Sequence, residues 1–435
     1  MTVDTKLTYT NEYIEQFSQD RNEPEWMKTL RLEALEQVEH LDMPEPDKTK
    51  IVRWNFTRFH HDFVSGENIS SLDHLPEEIK DFFDQDNLPE NLLIQRNHSI
   101  AHAALSKELK EKGVIFTDIF TAMNEHSELV EKYYMKDGVA VDEHRLTALH
   151  AALMNGGIFV YVPKNVQIEE PLQAVFWQEK PGLAYFNHVI VVAEQNSSLN
   201  YVENYISNSE EETVANIVTE VFANDNAKIS FGAVDNFAEN TTVYTNRRGI
   251  AKRDATINWA IGQMNDGNTI FENITELVGD NSLSHANTVT VGRGKLIQNI
   301  TAKTIHWGKN SEGYILQHGV MKDSASNVFN GIGKIENGAS GSNAEQTSRV
   351  LMLSEKARGD ANPILLIEED DVMAGHAASV GKVDPMQMYY LMSRGITRKE
   401  AERLIIHGFL EPVVAELPLE SVKKQLKQVI ERKIN

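Results

Sequence analysis

From Gly157 to Leu353 the sequence alternates β-branched or aromatic residues with small polar ones, and no amphipathic helix interrupts the run. Within it a small polar turn followed by an alternating strand recurs at Asn196–Leu199, Asn226–Ile229, Asp254–Ile257 and Asp280–Leu283, in steps of 30, 28 and 26 residues. Similar turns stand at Asn310-Ser311, Asp323-Ser324 and Asn337-Gly338-Ala339. A drifting period with short strands and small corner residues suits a solenoid whose coils stack into a parallel β-helix. A sandwich or barrel also has regular short strands, so the period alone leaves that choice open. In a solenoid, helical segments at the two ends would cap the outermost coils and block edge-to-edge pairing.

Helical periodicity frames the β region on both sides. Trp26, Met27, Leu30, Ala34, Val38 and Leu41 predict a helix over residues 10–42, with Trp26 as a core anchor. Residues 48–86 are irregular and mixed in charge, apart from a short strand-like run at Val52–Phe56. A second helical group spans residues 88–154, with a strand-like Gly113–Phe116, Thr117 as a cap and Asn155-Gly156-Gly157 as the stop. After Pro363–Ile367 the helical period returns. Asp384 and Pro385 open a helix carrying Met386, Tyr389 and Tyr390 on one face, and Gly395 suits its C-terminal cap. Thr397 and Glu400 form a capping box for a second helix, with Ala401, Leu404 and Ile405 inward and Gly408 at its end. A third opens near Pro418 and aligns Leu419, Val422, Leu426 and Val429. The expected organisation is an N-terminal helical and mixed segment (1–155), a β core (156–367) and a C-terminal helical segment (368–435).

Composition removes several functions. The 42 basic and 64 acidic residues give a net charge of −22, which repels a phosphate backbone, and Lys423, Lys424 and Lys427 suit one solvated side of a helix. Nucleic acid is therefore not an expected partner. There is no cysteine, so disulfides, a thiol nucleophile and thiolate-ligated zinc or iron–sulfur clusters held by this chain alone are excluded. No apolar run has membrane-spanning length and the first ten residues lack a signal-peptide pattern, so the expectation is a soluble cytoplasmic protein.

Two glycine-rich stretches fail as nucleotide sites. Gly375–Lys382 has one residue too many between its glycines for a phosphate loop, and Val383 stands where a magnesium-binding hydroxyl belongs. Gly331–Glu336 lacks the third glycine of a dinucleotide fingerprint. Of His285, His306, His318 and His376, none has the two-histidine spacing of a helical metal site. His376 differs in its setting. It follows the acidic run Glu368–Asp371 and sits among Ala374, Gly375, Ala377 and Ala378, small residues that admit close approach by a metal or another chain. A turn in which His376 caps a carbonyl is the alternative. A carbohydrate lyase or hydrolase is the competing function for a β-helix, but the adjacent Asp370 and Asp371 point to opposite sides of an extended segment and cannot form its carboxylate pair.

The C-terminal sequence Asp370-Asp371-Val372, Gly375-His376-Ala377-Ala378-Ser379-Val380-Gly381 and Tyr389–Ile396 resembles the SufB/SufD family of iron–sulfur cluster assembly proteins, and its SufD branch in particular. The similarity extends through Val328–Gly331, Gln346, Leu351–Ser354 and Pro363, and reaches Glu23–Trp26 and Gly157–Lys164 near the front. The resemblance implies a right-handed parallel β-helix flanked by helical segments, which resolves the choice left open by the period. It also implies a non-catalytic scaffold that pairs with SufB along the β-helix and docks the ATPase SufC on its C-terminal helices, at Tyr389, Tyr390, Arg394, Gly395 and Phe409. In that family a nascent cluster is built between a SufB cysteine and a SufD histidine, and His376 occupies the histidine's position. The implied cargo is iron or a transient iron–sulfur cluster shared with SufB, with no nucleotide on this chain and with a homodimer as the alternative assembly of an isolated chain. Ala374 stands where some relatives carry cysteine, which removes any thiol role in this subunit.

Overall fold

The recurrent polar turns are the corners of a solenoid in the computed structural model, which describes residues 9–62, 64, 68, 69, 71, 75, 77–80, 89–207, 211–416 and 420–434. Asn165, Asn196, Asn226, Asp254, Asn281 and Asn310 each take the left-handed conformation, with φ between 53° and 63°. Asn and Asp enter that region at lower cost than other residues with a Cβ, which is why the corner sequence repeats. The corners also hold one another: Asn196 donates to Asn165 at 2.9 Å, Asn226 to Asn196 at 3.0 Å and Asn281 to Asp254 at 3.0 Å. At the corner expected at Asp280 the left-handed residue is Asn281, one position further on.

Among the described residues the elements run α1 (Asn11–Asp20), α2 (Glu25–Val38), α3 (Glu77–Lys80), β1 (Leu92–Arg96), β2 (Ser99–Ala104), α4 (Lys107–Glu111), β3 (Ile115–Asp118), α5 (Ile119–Glu125), α6 (Ser127–Tyr133) and α7 (Arg145–Leu153). The coils follow as β4 (Gly156–Val162), β5 (Leu172–Gln178), β6 (Tyr185–Ala193), β7 (Ser198–Ser207), β8 (Thr213–Ala223), β9 (Lys228–Asn236), β10 (Thr241–Ala251), β11 (Thr256–Gln263), β12 (Thr269–Leu277), β13 (Leu283–Gly292), β14 (Ile297–His306), β15 (Glu312–Met321), β16 (Ser326–Ile335), β17 (Asn343–Met352), β18 (Arg358–Ile367) and β19 (Met373–Lys382). The chain closes with α8 (Pro385–Ser393), α9 (Arg398–Val414) and α10 (Glu420–Ile434). From β4 onward even strands stack in one parallel sheet and odd strands in a second, so each coil gives one strand to each. The N-terminal segment joins both sheets: β1 pairs parallel with β5, β2 antiparallel with β1, and β3 antiparallel with β4.

Alternation fills the lumen with stacked rows. One row descends through Tyr201, Phe231, Trp259, Ala286, Ile315 and Gln346, all buried, and its next register position is His376. Tilted ring pairs, such as Phe231 and Trp259 with centroids 4.9 Å apart, fill its upper part.

At the C-terminal end, among the described residues, the helices cover a face of the solenoid and not its last coil, contrary to the capping expected there. The N-terminal segment does close the first coil, with Leu109 of α4, Val114 and Phe116 in the lumen core. Helices α2 and α5–α7 bury Met27, Leu35, Met123, Leu149 and Leu153 with Phe186, Ile190, Val218 and Phe222 of the even sheet. Helices α9 and α10 place Ile406, Leu410, Val413, Leu426 and Ile430 with Val234, Ala260, Val289 and Val320 of the odd sheet. A Cβ on Gly262 would come within 2.8 Å of Leu426, so a glycine lets the helix seat that closely.

Several boundaries shift for local reasons. The expected end of the β core at residue 367 falls one strand short, because β19 pairs with β17 along its whole length. The helix expected over 10–42 is two helices, broken before Pro24, which stands at the N-cap of α2. Asp118, not Thr117, caps α5 by accepting from Phe120 and Thr121. Helix α9 runs through Gly408 and Pro412, since Leu410, Val413 and Val414 are buried beyond them, while Leu404 faces outward. Pro418 and Leu419 lie outside the described residues; Val422, Leu426 and Val429 are buried as expected.

Candidate functional site

The last coil is bare. Among the described residues, strands β18 and β19 are terminal in their sheets, so each presents one unpaired edge of backbone N–H and C=O groups. No residue from Arg358 to Glu400 is buried. Register gives the lumen-facing residues of this coil. Ala361, Pro363, Leu365 and Ile367 lie beside Phe329, Gly331, Gly333 and Ile335, and Ala374, His376, Ala378 and Val380 lie beside Ala344, Gln346, Ser348 and Val350. The mouth of the β-helix is thus small and apolar, with one imidazole in it.

His376 is exposed only because no further coil covers it. Beneath it Gln346 is 4% exposed and donates Nε2 to the carbonyl of Ile364 at 2.9 Å, which ties the two sheets of the mouth together. Gly331 makes room for that amide: a Cβ there would meet Gln346 Oε1 at 2.5 Å. His376 lies on strand β19 and not in a turn that caps a carbonyl, the alternative setting. The acidic run before it is the turn. Glu369 accepts from the Gly338 N–H at 2.9 Å and from Asp370 at 3.0 Å, contacts that hold its carboxyl below the usual range.

The other histidines are engaged elsewhere. His306 is buried, contacts Ser311 Oγ at 2.9 Å and is pushed down to about 4 by burial. His318 contacts the Phe409 carbonyl at 2.7 Å, and His285 stacks on Tyr314. Among the described residues, no three His, Asp or Glu side chains converge on a point where a metal would sit. A metal at His376 would need its remaining ligands from another molecule.

The five residues expected to meet a partner lie at two neighbouring helices, α8 and α9, and differ in exposure. Tyr389, Tyr390, Arg394 and Gly395 are exposed on or just after α8, a helix with no buried residue, and Arg394 lies over the Tyr390 ring at 5.3 Å. Phe409 is half-buried on α9, where its ring stacks on His318 at 4.8 Å. Met386 and Met392 extend the exposed apolar surface of α8.

Comparison with known proteins agrees with the architecture. The family model described as "SUF system FeS cluster assembly, SufBD core domain" matches residues 176–409, and "SufBD protein N-terminal region" matches residues 4–174. The chain belongs to the SufBD family. It is 63% identical over 436 residues to the iron–sulfur cluster assembly protein SufD of Bacillus subtilis, covering all of both chains. SufBD family proteins of Staphylococcus saprophyticus and Staphylococcus aureus are 30% and 29% identical, each across 94% of this chain and 90% of theirs. Membership was legible from the motifs around His376. The open SufBD coil was not, because Gly375, Ala377, Ala378 and Gly381 give β19 a poor strand signature. Among the described residues no helix is long and apolar enough to cross a membrane.

Proposed function

We propose that this chain is a scaffold subunit of iron–sulfur cluster assembly that pairs with SufB through its bare last coil and docks the ATPase SufC on α8, with His376 as a ligand to the nascent cluster. The chain itself performs no catalytic step. The observation that supports this reading best is the position of His376: a lumen row otherwise closed ends in an imidazole at an unpaired sheet edge. A partner that continues the sheets would bring its own side chains over that imidazole. A neutral imidazole can ligate iron while a partner's thiolate supplies the softer ligand, so the site is complete only in the complex. Tyr389, Tyr390 and Arg394 on a helix that buries nothing supply a docking face separate from the pairing edge.

Co-expression with a SufB-family and a SufC-family chain tests the reading. A stable three-component complex is expected, whereas a carbohydrate-active β-helix would form none. In that complex His376→Ala should keep assembly and lower bound iron and sulfide; normal content would refute the ligand role. Tyr389→Glu should weaken SufC retention without changing circular dichroism, because the residue is exposed.

A further inference from the structure

Beneath the N-terminal helices lies a chain of titratable groups unrelated to the mouth. His150 on α7, His188 on β6 and Glu220 on β8 are all fully buried. His150 Nε2 lies 3.0 Å from His188 Nδ1, and His188 Nε2 lies 2.9 Å from Glu220 Oε2. The Glu220 carboxyl accepts from the backbone N–H of Met135 at 2.9 Å and of Val139 at 3.0 Å. A Cβ on Gly138 would fall 2.3 Å from Glu220 Oε1, so loop 134–139 is wrapped directly over the carboxyl. Tyr134 stacks on His188 at 4.1 Å. The neighbouring charged groups are Arg248 of β10, Asp137 of the loop and Arg31 of α2.

Hydrogen-bond directions fix the number of protons in this chain. The far end is Asn216, whose carbonyl and Oδ1 lie 3.3 Å and 3.2 Å from His150 Nδ1, while its Nδ2 already donates to Leu146 O. Both groups facing His150 are acceptors, so His150 Nδ1 carries hydrogen. A neutral His150 then accepts at Nε2, His188 must donate from Nδ1 and accept at Nε2, and Glu220 must donate as a carboxylic acid. A carboxylate beside one imidazolium holds the same number of protons, but puts two charges in a fully buried site. Removing that proton sets acceptor against acceptor at one contact.

We propose that Glu220, His188 and His150 form a proton-dependent latch: at neutral pH they hold one proton more than a carboxylate and two neutral imidazoles, and its loss loosens loop 134–139 from the β-helix. Burial acts in the same sense, pushing Glu220 up to about 8 against its two backbone donors and pushing His188 down to about 3. When the loop opens, Glu220 ionises near its ordinary value of 4.5. From there up to about pH 8 the closed state holds a proton that the open state releases, so opening becomes easier as pH rises, by up to about tenfold per unit. Below the ordinary histidine value of 6.5 the open state instead gains protons on His150 and His188 that the closed state excludes, and opening becomes easier again.

Amide hydrogen exchange of the full-length chain tests this, using peptides that contain Met135 and Val139 and correcting for the intrinsic pH dependence of exchange. The expected opening equilibrium has its minimum near the histidine value of 6.5, rises up to about tenfold per unit toward pH 8 and then levels. In Glu220→Gln the alkaline rise should disappear. A wild-type equilibrium that is flat from 6.5 to 8 overturns the proposal whether or not the variant folds, as does an alkaline rise that persists in a folded variant.

Discussion

Val380→Lys separates pairing at the mouth from the fold beneath it. Val380 faces the lumen beside the buried Val350, and 41% of it is exposed. Full burial of a valine is worth about 2 kcal/mol, so ~0.8 kcal/mol remains to be gained when a partner covers it. A lysine there forfeits that gain and forces an ammonium toward a dry interface, where an unpaired charge costs several kcal/mol. Escape of the long side chain along the edge recovers part of this. The net loss of affinity is at least ~2 kcal/mol, about 30-fold in Kd. In the isolated chain the stem still lies on Val350 and the ammonium reaches water, so urea unfolding should change by less than ~1 kcal/mol. Titration calorimetry with a SufB-family chain reads the first quantity. Unchanged affinity together with unchanged stability would refute pairing through this coil.

Two further outcomes concern the body of the protein. Arg31 is fully buried, bonds Glu23 at 2.9 Å and 2.6 Å, and donates to the carbonyls of Ala152 and Met154 at the end of α7; Arg31→Ala strands a buried carboxylate and should cost about 3–5 kcal/mol in urea unfolding, with Glu23→Gln restoring part of it. Burial pushes His61 and His188 down to about 3, and His98, His144 and His306 to about 4. The unfolded chain binds those protons from 6.5 downward and the folded chain does not, so the stability is complete above that value and falls toward 4, by up to about 1.4 kcal/mol per unit for each histidine. A urea midpoint constant across this range would refute their burial as neutral rings.

What the sequence made legible follows from locality. The corners could be found because Asn and Asp enter the left-handed region at lower cost than other residues with a Cβ, so Asn196, Asn226 and Asp254 mark coils where they recur. The capped starts of α8 and α9 were equally visible, since Asp384 and Thr397 bond N–H groups only two or three residues on. Helix ends were less so: Gly408 is a stop signal by propensity, which burial of Leu410 and Val413 overrides. The latch is invisible in one dimension. Steps of 38 residues from His150 to His188 and 32 from His188 to Glu220 match no local period, and only coil stacking brings them together. The bare mouth was missed for a related reason, since apolar helices after a solenoid suggest caps and nothing local says that they fold back along its side.

A stack of coils behaves as a one-dimensional lattice in which each unit is stabilised mainly by its nearest neighbours. The coil of β18 and β19 has a neighbour on one side only, and α9 and α10 lie elsewhere. Its native state therefore melts first, and fraying should advance from Lys382 inward while the rings around Trp259 remain packed. His376 belongs to that coil, the one expected to be ordered least in a lone chain. A partner that supplies the missing neighbour would anneal the histidine's strand in the act of covering it, so assembly and readiness of that imidazole become one equilibrium.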